Sequence, residues 1–159
     1  MGTSILYNLV SRDMQNPVLL ERTTLGAGST GRSSGAIRMH YSTTVSAELS
    51  WKSFPYFLHF DELVGGESPQ FIETGFMAIA GPEAAEGLHH NVALEQALGI
   101  DTEMIDLQTA KELAPAFEFS DDEVVAWEPQ SGHGDPSGTL RLDVAQGCNH
   151  VVGGPPLND

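Results

Sequence analysis

Between Asn16 and Tyr41 the chain reads NPVLLERTTLGAGSTGRSSGAIRMHY. An apolar run, Val18-Leu19-Leu20, leads into Glu21, and four glycines and four hydroxyl residues then crowd positions 26–35 around Arg32. A carboxylate at the end of a strand accepts hydrogen bonds from ribose hydroxyls. Small residues let a backbone approach a ligand closely, and serine, threonine and arginine donate to phosphate oxygens, most strongly where the bond is charge-assisted. Gly2 lies 19 residues before Glu21. That is close to the interval of about 20 between a dinucleotide-binding glycine fingerprint and its ribose acid. If Gly2 is the last glycine of G-x-G-x-x-G, the first would stand five positions earlier, ahead of Met1. The expectation is a dinucleotide fold whose first strand and two leading glycines lie outside this chain. The same residues also suit a solvated acid beside a surface loop.

Elements that would position these groups follow from the periodicity. Ile5, Leu6, Leu9 and Val10 share one stripe at helical spacing over residues 2–12, and Asn16-Pro17 ends that helix. The strand that follows suits a parallel sheet buried on both faces. A helix is expected from Thr44, as its N-cap, to Val64, with Pro55 kinking or splitting it. Residues 71–81 predict a strand and Pro82 to Leu98 a helix, with Leu88, Val92, Leu94 and Leu98 inward and His89 and His90 towards water. A short strand over 102–105, a short helix over 107–113 and a strand over 124–129 complete an α/β alternation. After Thr139 the pattern weakens, and GGPPLND reads as an irregular end.

Charge and composition narrow the function. The chain of 159 residues carries a net charge of −15. Its basic groups gather at the front: Arg12, Arg22, Arg32, Arg38 and Lys52 outnumber Asp13, Glu21 and Glu48 over residues 1–52. A polyanion-binding surface is not expected, which argues against nucleic acid, while a small anion fits the arginine-bearing third. No apolar run is long enough to span a membrane, and no segment reads as a secretory leader. Cys148 is the sole cysteine, so no intrachain disulfide is expected, and the expected compartment is the cytoplasm.

VLLER followed by LGAGSTGRSSGAIRMHY resembles the FAD-dependent oxidoreductases of the D-amino-acid oxidase, sarcosine oxidase and glycine oxidase superfamily. The resemblance continues through FDELVGG, ETGFMAIAGPE, LGIDTEMID with ELAP, and WEPQSGHGDP, and so covers about residues 2–138. It implies a partial Rossmann-like FAD-binding domain over 1–66, the start of an α+β substrate domain over 67–138, and a divergent tail over 139–159. It implies that Gly2, Glu21, Arg22, Ser29, Thr30, Arg32 and Ser33 contact FAD, with Glu21 on the ribose. Arg38 stands where the sarcosine oxidase branch carries an arginine that pairs with the substrate carboxylate, and a guanidinium is the best fork for that group. The implied reaction is oxidation of an amine or amino acid, with hydride passing to the flavin. Relatives are more than twice as long, so a fragment is expected.

The glycine-serine loop holds no histidine, so the covalent flavin link that some relatives make there is not expected. His133 and Asp135 could serve as acid and base, but SGHGDP reads first as a turn. His40, His59, His89 and His90 show no metal-ligand spacing, and no metal is expected. Two other functions remain open: a truncated, non-catalytic α/β interaction module that self-associates through an exposed strand edge, and a nicotinamide enzyme, which the long loop after Glu21 fits less well.

Overall fold

A computed structural model describes residues 1–64, 70–140 and 151–153. The chain divides into two compact units, each assembled from separated segments: 1–35, 56–71 and 134–159 in one, 36–55 and 72–133 in the other. Backbone pairing is the reason. Ala36–Ile37 (β2) and Ile72–Glu73 (β3) both hydrogen-bond antiparallel to Gly132–His133 (β7), which draws 36–55 into the later segment.

In the first unit, helix α1 (Gly2–Val10) forms on the apolar stripe, with Leu6 buried. It stops where Asp13 and Asn16 take positive φ, a conformation short polar side chains tolerate. Arg12 donates to the carbonyl of Asn8 at 3.1 Å, placing a cation at the negative end of the helix. Strand β1 (Leu19–Glu21) follows, and a Cβ built on Gly2 would lie only 3.2 Å from Leu19 Cδ1. Gly2 thus allows helix and strand to meet closely. The sequence led us to expect β1 to be covered on both faces. Leu19 is half-buried, but Val18 is 66% and Leu20 79% exposed, because α1 covers the Leu19 side alone. Residues 151–153 correct the irregular-tail expectation: Val151–Gly153 (β8) pairs parallel with β1, Leu20 opposite Val152. An open strand edge carries unsatisfied N–H and C=O groups, and a Val-Val pair suits that role. The rest of the tail beyond Leu140, Cys148 included, lies outside the described residues.

The helix expected over 44–64 is interrupted at His59 rather than at Pro55. Helix α2 (Thr44–Leu58) runs through the proline, and α3 (Phe60–Val64) restarts after His59. The cap lies one residue earlier than expected: the carbonyl of Thr43 accepts the N–H of Ala47, and its hydroxyl donates to Ser46. In the first unit Phe60 packs with Tyr7, whose hydroxyl donates to the Leu63 carbonyl at 3.2 Å.

The core of the second unit is an antiparallel sheet of β4 (Phe76–Ala80), β6 (Val124–Glu128) and β5 (Glu103–Ile105), with β6 central. Helix α4 (Ala85–Ala97) lays Leu88 and Val92 against Ala126, flanked by Ala78, Ala80, Met104 and Val124. Leu94 and Leu98 are only half-buried, while His89 and His90 face water as expected. Helix α5 (Leu107–Leu113) is capped by Asp106, whose carboxylate accepts the Thr109 N–H at 2.7 Å and is held below its ordinary pKa by that bond.

Candidate functional site

Within the first unit, β1 delivers Glu21 to the mouth of the glycine loop. The carboxylate accepts the Thr23 N–H at 2.9 Å and the Thr23 hydroxyl at 3.3 Å, which fixes its direction. The loop is folded on itself rather than loose. Gly26 sits at φ +82° and its carbonyl accepts the Gly31 N–H at 2.9 Å, while a Cβ on Gly31 would overlap that carbonyl. A short 3-10 turn at Thr30–Arg32 closes the far side. These turns surround an open cavity of about 520 Å³ lined by Glu21, Arg22, Thr23, Ala27, Gly28, Ser29 and Arg32.

The chemistry of this lining fits a phosphorylated ribose. Neither Arg22 nor Arg32 makes an ion pair with another described residue, and a Cβ on Gly28 would meet nothing within 4 Å. Of the seven residues expected to touch a cofactor, Glu21, Arg22, Ser29 and Arg32 line this cavity. Thr30 opens the 3-10 turn, and the Ser33 hydroxyl accepts the Gly35 N–H at 3.0 Å. Gly2 faces a different, apolar hollow of about 350 Å³, between α1 and residues 14–19.

Within the second unit, Arg38 is half-buried and lies over two rings, its Cζ 4.9 Å from the Phe76 centroid and 5.1 Å from that of Tyr41. Its Nη1 donates to the His40 carbonyl at 3.1 Å, and its own carbonyl accepts the Ser50 hydroxyl. No carboxylate among the described residues pairs with it. A guanidinium held between aromatic faces with unpaired donors is suited to an incoming carboxylate.

Behind Arg38 stands a cluster that sequence reasoning missed. Glu95 from α4 and Glu128 from β6 are 0% and 1% exposed, and His40 lies between them. Glu95 Oε1 accepts the Tyr41 N–H at 3.0 Å, and His40 Nδ1 lies 3.0–3.1 Å from the two Glu95 oxygens. Glu128 Oε2 accepts the Met39 N–H at 3.1 Å and the Ser131 hydroxyl at 2.6 Å. Its Oε1 has no hydrogen-bond partner among the described residues and lies 3.8 Å from His40 Nδ1. Burial, the leading cause, pushes Glu128 above its ordinary pKa. The sequence held a signal: Glu95 follows Leu88 and Val92 at helical spacing, and Glu128 shares a strand face with Ala126. His40 therefore has two acidic neighbours where the spacing of histidines showed no pattern.

His133 lies in β7 and Asp135 caps the helical turn over 136–140, its carboxylate accepting the Ser137 N–H at 2.8 Å. The turn reading accounts for Asp135.

Residues 1–143 match the family model described as FAD dependent oxidoreductase. Mitochondrial sarcosine dehydrogenase of Mus musculus is 27% identical over 156 residues, covering 95% of this chain and 17% of that enzyme. L-proline dehydrogenase from P. horikoshii superposes with a TM-score of 0.79 at 22% identity, over 91% of this chain and 38% of that one. Glycine oxidase from Geobacillus kaustophilus superposes with a TM-score of 0.74 at 16% identity, over 92% and 42%. The chain thus spans less than half the length of these relatives.

Proposed function

The chain belongs to the family of FAD-dependent oxidoreductases, and from that premise we propose that it holds the adenosine and pyrophosphate end of FAD and the carboxylate of an amine or amino-acid substrate. Sarcosine, glycine and D-amino acids are the substrate types in view. FAD, when bound, supplies the acceptor for hydride from the carbon beside the amine nitrogen. The chain's own residues bind and orient. Glu21 accepts hydrogen bonds from the ribose hydroxyls, and Arg22, Ser29 and Arg32 donate to the pyrophosphate. Gly2 lets α1 sit close on β1, and Thr30 and Ser33 shape the loop towards the cofactor. Arg38 takes the substrate carboxylate.

One observation carries this reading: a strand-end acid and two arginines without ion-pair partners among the described residues line the same cavity. Because the cavity is open, its bonds compete with water and salt, and binding by the 159-residue chain is weak. Titration with FAD followed by flavin fluorescence, and with ADP in competition, is expected to give saturable, salt-sensitive binding. Arg32→Ala should weaken it by about fivefold, the loss typical of an exposed charge contact near 1 kcal/mol. Absence of saturation at millimolar ADP, or an Arg32→Ala curve that overlays the parent, would overturn the assignment.

A second reading, a non-catalytic interaction module, is favoured by the exposed Val18 and Leu20. A chain that self-associates yet ignores both nucleotides would select it.

A further inference from the structure

We propose that Glu95 and Glu128 are positioning residues that aim Arg38, acting through the backbone of the strip 39–41. The inference rests on the reading of Arg38 as a carboxylate receptor.

Arg38 sits at the start of four residues in which every following residue is held by a buried acid. The N–H of Met39 goes to Glu128, the ring of His40 to Glu95, and the N–H of Tyr41 to Glu95 again. The two acids come from different elements, α4 and β6, whose relative position is set by the Leu88, Val92 and Ala126 core. The strip has no strand partner of its own over 38–41, since β2 ends at Ile37. Side-chain carboxylates therefore do what a neighbouring strand would otherwise do. Two of the features that hold the Arg38 guanidinium are themselves parts of the strip: the His40 carbonyl that receives Nη1 and the Tyr41 ring beneath Cζ. The third, Phe76, pairs in register with Glu128 across β4 and β6. Moving either carboxylate moves the seat of the guanidinium.

Burying two carboxylates beside one imidazole is costly unless their geometry is needed. A simple anchoring of chain would be served by apolar contacts. What apolar contacts do not provide is a fixed direction for consecutive N–H groups, and that direction sets where Arg38 points. Each carboxylate already accepts a backbone N–H and Nδ1 is engaged by Glu95, so that of these ligand atoms Glu128 Oε1 alone is uncommitted among the described residues. The cluster is therefore a clamp rather than a cation site.

The test uses the 159-residue chain labelled with ¹³C and ¹⁵N. Arg38 Hδ protons should be shifted upfield by the Phe76 and Tyr41 rings, and the Met39 and Tyr41 amide protons downfield by their carboxylate partners. Glu95→Leu and Glu128→Leu should abolish the Arg38 ring shift and weaken acetate binding, read at Arg38 Nε, by about tenfold, the loss expected for one misdirected charge-assisted bond. Glu95→Gln and Glu128→Gln, which keep an acceptor oxygen for each amide, should retain both. If the leucine variants do not fold, Glu95→Asp and Glu128→Asp decide: the charge stays but the oxygens withdraw by one methylene, so the ring shift should fall while the glutamine variants keep it. An unaltered Arg38 shift in the leucine or aspartate variants would overturn the proposal. So would stoichiometric Zn²⁺ displacing the Met39 and Tyr41 amide signals. Failure of acetate to perturb Arg38 in the parent chain would overturn its carboxylate role instead, leaving the ring shifts to judge the clamp.

Discussion

Glu128 ends β6 with its two oxygens in unequal circumstances. Oε2 receives the Met39 N–H and the Ser131 hydroxyl, while Oε1 faces His40 at 3.8 Å without a donor. Desolvation of the charged form outweighs these bonds, and the negative charge of Glu95 acts in the same direction, so the native pKa lies above the ordinary 4.5. The native protein then holds a proton that the unfolded chain has released. The contribution of that proton to stability is complete below pH 4.5 and is lost as pH rises through the elevated native value. Glu128→Gln removes the ionisation while keeping an acceptor for both donors. The urea midpoint of the parent should therefore fall relative to Glu128→Gln between about pH 4 and about pH 7. Parallel midpoints across that range would show that Glu128 ionises in the native protein as readily as in the unfolded chain, and a difference of opposite sign would contradict the burial argument. A glutamate read from composition is one more surface acid among twenty-two Asp and Glu. Only the strand alternation that sets it beside Ala126 marks it as different, and its partners, 33 and 88 positions away in Glu95 and His40, follow from tertiary packing alone.

Among the elements, the junction between β3 and β4 turns on Gly75. Its φ is +74°, its N–H donates to the Ser131 carbonyl at 2.7 Å, and a Cβ there would overlap the Trp127 ring. Gly75→Ala adds both left-handed strain and a collision with the central strand, so a loss of at least about 1–3 kcal/mol is expected. Thermal and urea unfolding of the variant measure it, and a change below about 0.5 kcal/mol would mean the ring has room to move. This glycine also shows what periodicity can and cannot read. The continuous run Phe76 to Ala80 was enough to expect a strand, and Leu107–Leu113 with Val124–Glu128 fell within a residue or so of the expected bounds. The pairing of β7 with both β2 and β3 was not readable, because each of the three spans only two residues and carries no alternation. That pairing decides which segments share a unit. The glycine loop is a different case: glycines, hydroxyls and an arginine beside a strand-end acid drew notice as residue types, and four of the seven residues proposed to contact the cofactor line one cavity. The carboxylate clamp was not readable, since its parts come from three distant stretches.

At the scale of the whole molecule, β1 presents an exposed apolar surface. Its edge is paired on one side with β8, and no other described strand joins that sheet. Val18 and Leu20, on either side of Leu19, are 66% and 79% exposed. Beside them opens the apolar hollow lined by Ile5, Leu9, Met14 and Pro17. Covering two such side chains contributes about 3–6 kcal/mol, against at least about 4 kcal/mol for the lost freedom of two associating bodies. Strand pairing adds backbone hydrogen bonds to the favourable side. These terms nearly cancel before the strand bonds are added, so the association expected between copies of the chain is weak. The net charge of −15 opposes it at long range, so added salt should strengthen it. Leu20→Lys places a charge in the middle of the face and should return the chain to monomer. Lysine is exposed there in the monomer, so the fold itself should tolerate it. Sedimentation velocity of both chains over about 10–500 µM, at low and moderate salt, reads the outcome directly. A parent chain that stays monomeric to the top of that range would remove β1 as an interface, and an unchanged distribution in Leu20→Lys would move the interface elsewhere.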